Sequence, residues 1–221
     1  MKLDDAIRVL YSQTKIVKTD DQKYVVKCYD SSVAVKWYFI SSMFRPFPYV
    51  ANPITRMDRE IEFMTYPWKG IKVPRIIDFD TEEKCIVREF VDGNIPSTAE
   101  DLISIGSALK EIHNNYFVLG DSKFDNFLIN EKIFVIDAEE AIRGSEPELR
   151  AWDLLVFFLF VAYKFFQDLK TFERVVQGFL GLYEPERDVV TNMISLRNVQ
   201  LLSIFPPFHL GTVKKVISEF L

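Results

Sequence analysis

Between Tyr116 and Ala141 the chain reads YFVLGDSKFDNFLINEKIFVIDAEEA, and this segment constrains the fold more than any other. Two short apolar runs flank a polar turn, the pattern of a β-hairpin. Asp121 and Asn126 stand five apart around a loop before it, and Asp137 follows it. A turn on Glu131 and Lys132 sets positions 126 and 137 directly opposite each other. Cross-strand partners hold their Cβ atoms about 5 Å apart. An amide oxygen and a carboxylate at that separation, with a second carboxylate nearby, suit a hard cation such as Mg²⁺ that also carries phosphates. The expected chemistry is phosphoryl transfer: one acid orients the attacking hydroxyl and two oxygen ligands hold the metal.

The 221 residues are enough for one large domain or a two-lobed unit with a substantial core. Apolar residues make up 48% and include 20 Phe, which excludes a disordered chain. A formal net charge of −5 gives no nucleic-acid signature in the bulk charge. A local basic stretch remains (Lys36, Arg45, Arg56, Arg59, Lys69, Lys72 and Arg75), read either as a patch or as a solvated helix face. The two cysteines, Cys28 and Cys85, sit in apolar strand patterns and are expected as buried free thiols of a reducing compartment. No zinc-ligand spacing occurs, and the N-terminus has no signal-peptide core, so the expected location is cytoplasmic. The longest apolar run, Leu154–Tyr163, is short of the roughly 20 residues of a membrane span and reads as a core helix buried on all sides.

Along the chain, Leu3–Tyr11 fits a short helix, and TKIVK and KYVVKCY read as strands joined at 19–22. The aromatic stretch 31–51 carries Trp37, Tyr38, Phe39, Phe44, Phe47 and Tyr49. It is read as an insertion over the N-terminal lobe or as a docking surface for a protein partner. Asn52 and Pro53 open a helix through Met64. Val73–Gly93 contains two strands. Ser97 to Glu100 forms a capping box before a helix through His113. Helices are predicted over 147–166, 169–183 and 186–204, with a last one from Thr212. His113 and His209 have no partner pattern and read as structural or exposed.

The 116–141 segment resembles the catalytic and metal-binding loops of protein-kinase-like enzymes. It is most similar to the compact atypical kinases, the RIO kinases and the small kinase subunit of the KEOPS tRNA-modification complex. Those families read H-G-D-x-x-x-x-N, then an apolar hairpin, then I-D. Gly120, Asp121, Asn126, Ile136 and Asp137 match, and the resemblance extends over roughly residues 14 to 155. It implies a two-lobed α+β kinase-like fold, with a small β-rich lobe over 1–91 and a helical lobe over 92–221. It implies roles as well. Asp121 acts on the acceptor hydroxyl, and Lys123 contacts the transferred phosphate. Asn126 and Asp137 hold Mg²⁺. Lys27 contacts the α- and β-phosphates of ATP and pairs with Glu60, or with its competitor Glu62. Glu89, Phe90 and Val91 form the adenine hinge, and Asp153 braces the catalytic loop.

Three departures qualify the match. No glycine precedes Gly70, so a Gly-rich phosphate loop is absent and Ser12-Gln13-Thr14 stands in its place as a rebuilt entrance. Leu119 replaces the usual His, and Ala138-Glu139 replace Phe-Gly. The resemblance implies ATP- and Mg²⁺-dependent transfer to a Ser/Thr hydroxyl of a protein. Three other readings stay open: an ATPase-type switch subunit in an RNA-processing or tRNA-modification assembly, a small-molecule phosphotransferase, and a pseudokinase scaffold.

Overall fold

The computed structural model describes residues 14–19, 22–29 and 44–221. The expected helix over 3–11, Ser12-Gln13, the 20–21 turn and residues 30–43 with Trp37, Tyr38 and Phe39 lie outside them. The N-terminal part is an antiparallel sheet in the order β1-β2-β4-β3, formed by β1 (Thr14–Thr19), β2 (Gln22–Cys28), β3 (Ile76–Asp80) and β4 (Cys85–Glu89). One helix, α1 (Pro53–Thr65), packs under this sheet. Asn52 caps it by accepting from Thr55 N–H, and Pro53 occupies the first turn, where its missing N–H costs nothing. Met57 of α1 meets Tyr29 and Ile86 in a small separate core.

The C-terminal part is mostly helical, with α2 (Ala99–Asn114), α3 (Pro147–Lys164), α4 (Leu169–Tyr183), α5 (Arg187–Met193), α6 (Val199–Leu202) and α7 (Pro207–Ile217). The main core sits between α2, α3 and α4. Leu102, Ile105, Leu109 and Ile112 of α2 are fully buried, which follows from their i, i+3, i+4 spacing. Each such side chain contributes about 1.5–3 kcal/mol. Gly106 lets α4 come close, since a Cβ there would lie 2.6 Å from the Phe179 carbonyl oxygen. This α+β arrangement of sheet lobe and helical lobe is the protein-kinase-like fold.

Two short strand pairs carry the signature segment, β5 (Phe117–Val118) with β8 (Ile142–Arg143) and β6 (Phe127–Ile129) with β7 (Ile133–Val135). The second pair corrects the expected register. Phe127 faces Val135, so Asn126 faces Ile136 and not Asp137. The turn holds three residues, Asn130 to Lys132, within which the Asn130 side chain accepts the Glu131 N–H and the Asn130 N–H donates to the Lys132 carbonyl.

Other expectations are corrected too. The cap of α2 is Thr98 with Asp101, one residue later than expected, with reciprocal bonds to the backbone. The helix expected over 186–204 breaks into α5, a 3₁₀ turn at Leu196–Asn198, and α6. The last helix begins at Pro207, which fits its first turn, and not at Thr212. Helix α3 is buried on most but not all sides, since Phe160 and Tyr163 are exposed. The cysteines are not free: Cys28 and Cys85 face each other across β2 and β4 and form a disulfide. The basic stretch is neither a patch nor a solvated face at its centre. Arg56 is fully buried, and Arg59 pairs with Glu140 at 3.0 Å. Among the described residues, no helix is long and apolar enough to cross a membrane.

Candidate active site

Asp153 of α3 organises the loop that carries Asp121. Its carboxylate accepts the N–H groups of Leu119 and Gly120, at 2.7 Å each. It also meets His113 Nε2 at 3.0 Å, and the His113 Nδ1 atom meets the Tyr183 hydroxyl at 2.6 Å. Ser122 Oγ donates to the Asp153 carbonyl at 2.6 Å. Asp153, His113 and Ser122 are all at most 1% exposed, so each polar atom has to find a partner inside the protein. The Gly120 carbonyl is held from the other side, by the Tyr49 hydroxyl at 2.5 Å and Trp152 Nε1 at 3.2 Å.

Gly120 itself has φ +73°, and a Cβ there would lie 2.3 Å from the Phe47 ring. Only glycine meets both conditions. His113 carries no motif that points to this brace, and its place there comes from its contact with Asp153. Phe44, Phe47 and Tyr49 pack on Trp152 of the helical lobe rather than over the sheet.

Downstream of the brace, Asn126 donates from Nδ2 to the Asp121 carbonyl at 2.6 Å. The Asn126 carbonyl accepts the Ile136 N–H at 2.9 Å and so sets Asn126 beside the turn into Asp137. Lys123 Nζ bonds Asp121 Oδ2 at 3.0 Å. Burial lowers the Lys123 pKa, but Asp121 and Asp137 more than offset this and leave it raised.

Lys27 of β2 reaches the same place from the sheet. Its Nζ lies 2.6 Å from Glu60, 2.8 Å from Asp137 and 3.2 Å from Glu139. Glu62, by contrast, faces Arg143 at 2.8 Å on the outer side of α1. Glu60 also accepts from Arg88 at 2.7 Å and from the Tyr29 hydroxyl. Burial would lower the Lys27 pKa, yet the carboxylates around it raise it well above the ordinary value. Burial would raise the Asp137 carboxyl, but Lys27 outweighs this and holds it low, at about 2. Asp137 is therefore ionised and remains about 30% exposed toward the cleft. An ionised carboxylate grouped with Glu60 and Glu139, on the hairpin that also carries Asn126, offers the oxygen ligands that suit Mg²⁺.

Two carboxylates follow. Glu139 reaches Arg56 at 3.3 Å, and Glu140 accepts from the Val50 N–H at 3.3 Å and from Arg59. They tie the segment after Asp137 to α1, in place of the expected Phe-Gly contacts. Beside this cluster, a cavity of about 190 Å³ opens between the lobes, lined by Ile16, Val25, Glu89, Phe90, Val91 and Leu128. Its lining is mostly apolar, as in sites that take an aromatic ring.

Sequence comparisons agree with this architecture. A probable bifunctional tRNA threonylcarbamoyladenosine biosynthesis protein of Methanocaldococcus jannaschii is 26% identical over 126 residues, 52% of this chain and 23% of that protein. The EKC/KEOPS complex subunit BUD32 of Enterocytozoon bieneusi is 28% identical over 109 residues, 49% of this chain and 52% of that protein. The chain thus spans about a quarter and about half of the length of these relatives. Among solved structures, WbdD in complex with a kinase inhibitor superposes with a TM-score of 0.50 at 16% identity, covering 95% of this chain and 48% of that one. No protein-family model matches. The chain has a protein-kinase-like fold and is similar in sequence to the KEOPS subunit BUD32 and to a tRNA threonylcarbamoyladenosine biosynthesis protein.

Proposed function

We propose that the chain binds ATP with Mg²⁺ between lobes 1–91 and 92–221 and transfers the γ-phosphoryl group to a Ser/Thr hydroxyl. The supporting observation is convergence. Lys27 of the sheet lobe bonds Asp137 across 110 residues, while Asp121, Lys123, Asn126 and Asp137 share one loop-and-hairpin segment in which Lys123 and Asn126 both bond Asp121.

In this reading Glu89, Phe90 and Val91 hold the adenine. Lys27, kept in place by Glu60, exchanges its bond to Asp137 for the α- and β-phosphates. Asn126 Oδ1 and Asp137 hold Mg²⁺, which would neutralise charge developing on the phosphates. Asp121 accepts the proton of the acceptor hydroxyl and aims its oxygen at the phosphorus. Lys123 stays within reach of the moving phosphoryl group and offsets its charge.

Calorimetric titration with ATP, with and without Mg²⁺, tests the binding half. The expected result is metal-dependent binding near micromolar, about −8 kcal/mol, lost in Asp137→Asn. No heat at millimolar MgATP would instead make the chain a pseudokinase scaffold. Asp121→Asn is expected to stop transfer and spare ATP affinity, and a collapse of ATP affinity would reassign Asp121 to the metal.

The names of the two sequence relatives support a second reading, a subunit of a tRNA-modification assembly, for which we propose ATP hydrolysis in place of transfer. It predicts phosphate release without any acceptor, accelerated by a stable protein partner. Phosphate release and acceptor labelling, measured side by side, separate the two.

A further inference from the structure

Asp153 fixes two consecutive peptide groups of the loop that carries Asp121, through the N–H groups of Leu119 and Gly120. The next peptide group joins Gly120 to Asp121, and neither of those bonds reaches it. Gly120 stands at the junction with φ +73°, and glycine has the widest freedom of backbone rotation. The Gly120–Asp121 peptide is planar and rigid in itself, so the direction of its carbonyl also sets how the chain enters Asp121. Two donors grip that carbonyl: the Tyr49 hydroxyl at 2.5 Å and Trp152 Nε1 at 3.2 Å. Trp152 Nε1 also lies 2.9 Å from the Tyr49 hydroxyl oxygen, which closes a triangle. Any buried hydroxyl needs a partner. Two donors converging on the one carbonyl next to Asp121 is a narrower arrangement than that need alone requires.

We propose that Tyr49 is a positioning residue for Asp121: its hydroxyl sets the Gly120–Asp121 peptide so that the Asp121 carboxylate meets the acceptor hydroxyl. The inference rests on the transfer reading above. Tyr49 suits this role because its own segment is stiff. Pro46 and Pro48 fix φ at two positions of the strap 44–50. The Phe47 ring lies against Gly120, where a Cβ would come within 2.3 Å, and its centroid is 4.8 Å from that of the Tyr49 ring. Past Tyr49, Glu140 accepts the Val50 N–H at 3.3 Å. Arg59 donates to the Pro48 carbonyl at 3.2 Å and to Glu140 at 3.0 Å. Asn52 then caps α1, the helix whose Glu60 holds Lys27. One unbroken stretch, 49–60, therefore carries both the hydroxyl that orients Asp121 and the carboxylate that holds the lysine proposed to contact the phosphates. Asp121 and Lys27 belong to different lobes, and this stretch sets them in one frame.

The test is Tyr49→Phe, which removes the hydroxyl and keeps the ring. Pro48→Gly is the second variant, since it frees the strap and leaves the side chains of the triangle in place. Tyr163→Phe is the control, because it also removes a hydroxyl that donates to a carbonyl, that of Ile204 at 2.7 Å in the helical lobe. The full chain is assayed with MgATP and a degenerate peptide library in which each peptide holds a single Ser or Thr. Tyr49→Phe is expected to lower kcat about tenfold to a hundredfold, the scale of loss from a misplaced reacting group. Its KM for MgATP is expected to stay at the wild-type value, because the hydroxyl touches no group assigned to the nucleotide. Pro48→Gly is expected to lower kcat by a smaller factor, again at unchanged KM. In NMR spectra of Tyr49→Phe, the amide nitrogen resonance of Asp121 is expected to move more than those of Leu119 and Gly120. The control is expected to leave kcat, KM and these resonances as they are in the wild type. Unchanged kcat in Tyr49→Phe, or a fall matched by the control, would overturn the positioning role. So would a raised KM for MgATP with kcat intact, or an unmoved Asp121 resonance. No labelling of the library by the wild-type chain would overturn the transfer reading, and this inference with it.

Discussion

Lys27 Nζ donates to Asp137 Oδ1 at 2.8 Å across 110 residues of sequence, so the proposed phosphate-binding lysine and the proposed metal ligand neutralise each other. Glu60 and Glu139 lie within 3.2 Å of the same ammonium. Lys27 therefore touches three carboxylates, of which Glu60 is shared with Arg88 and Glu139 with Arg56, while Asp137 is held by Lys27.

Lys27→Met keeps most of the volume and removes that cation. Loss of one partner from a buried ion cluster costs about 3–5 kcal/mol. Urea denaturation is expected to show a loss of that order, together with lost MgATP binding. A stable variant that no longer binds nucleotide would confine Lys27 to a binding role.

Asp153→Asn would turn an NH₂ group toward one of the two N–H donors, Leu119 or Gly120, that the carboxylate accepts at 2.7 Å. Hydrogen bonds to a buried charge contribute about 1.5–3 kcal/mol each. The variant is expected to lose about 3 kcal/mol and most activity, with faster hydrogen exchange at the Leu119 and Gly120 amides. Unchanged exchange at those amides would refute the brace.

Glu140 supplies the pH dependence. Burial pushes its carboxyl up to about 8, against the lowering effect of Val50 N–H and Arg59. Between the ordinary value of 4.5 and about 8, the folded state binds a proton that the unfolded state has released. Stability must then fall as pH rises through that window. Asp137 acts in the opposite sense: its carboxyl is held at about 2, so its contribution is present above the ordinary 3.8 and lost as pH falls from there. Glu140→Gln is expected to flatten the upper slope and raise the melting temperature at pH 8 relative to pH 5. An unaltered slope would assign it to other groups.

The Cys28–Cys85 disulfide closes a separation of 57 residues. The chain-entropy estimate for such a loop is about 4 kcal/mol. Thiol titration of the unfolded chain is expected to find no free thiol until a reductant is added, and reduction is expected to lower the denaturation midpoint. Two thiols without reductant would restore the free-cysteine reading.

Local signals were legible in the sequence wherever neighbours decide the conformation. The Asn52-Pro53 start of α1, the stripe of α2 and the hairpin around 130–132 all follow from near residues. So did Gly120-Asp121, Asn126 and Asp137 as one constellation, because all lie within a few turns of the same loop. Their exact opposition failed by one residue, since the turn between Ile129 and Ile133 holds three residues rather than two.

What only the tertiary structure decided depends on burial and on distant partners. Pattern placed Lys27 on a strand, but its choice of Glu60 over Glu62 follows from which face of α1 turns inward. His113 carries no motif and gains its place beside Asp153 only because α2 and α3 pack together. The cysteines became partners because β2 and β4 align them, a register that no single strand encodes. Sequence alone therefore determined the chemical groups and the local elements that carry them. Packing decided which of those groups meet, because contacts between distant segments depend on how the whole core closes.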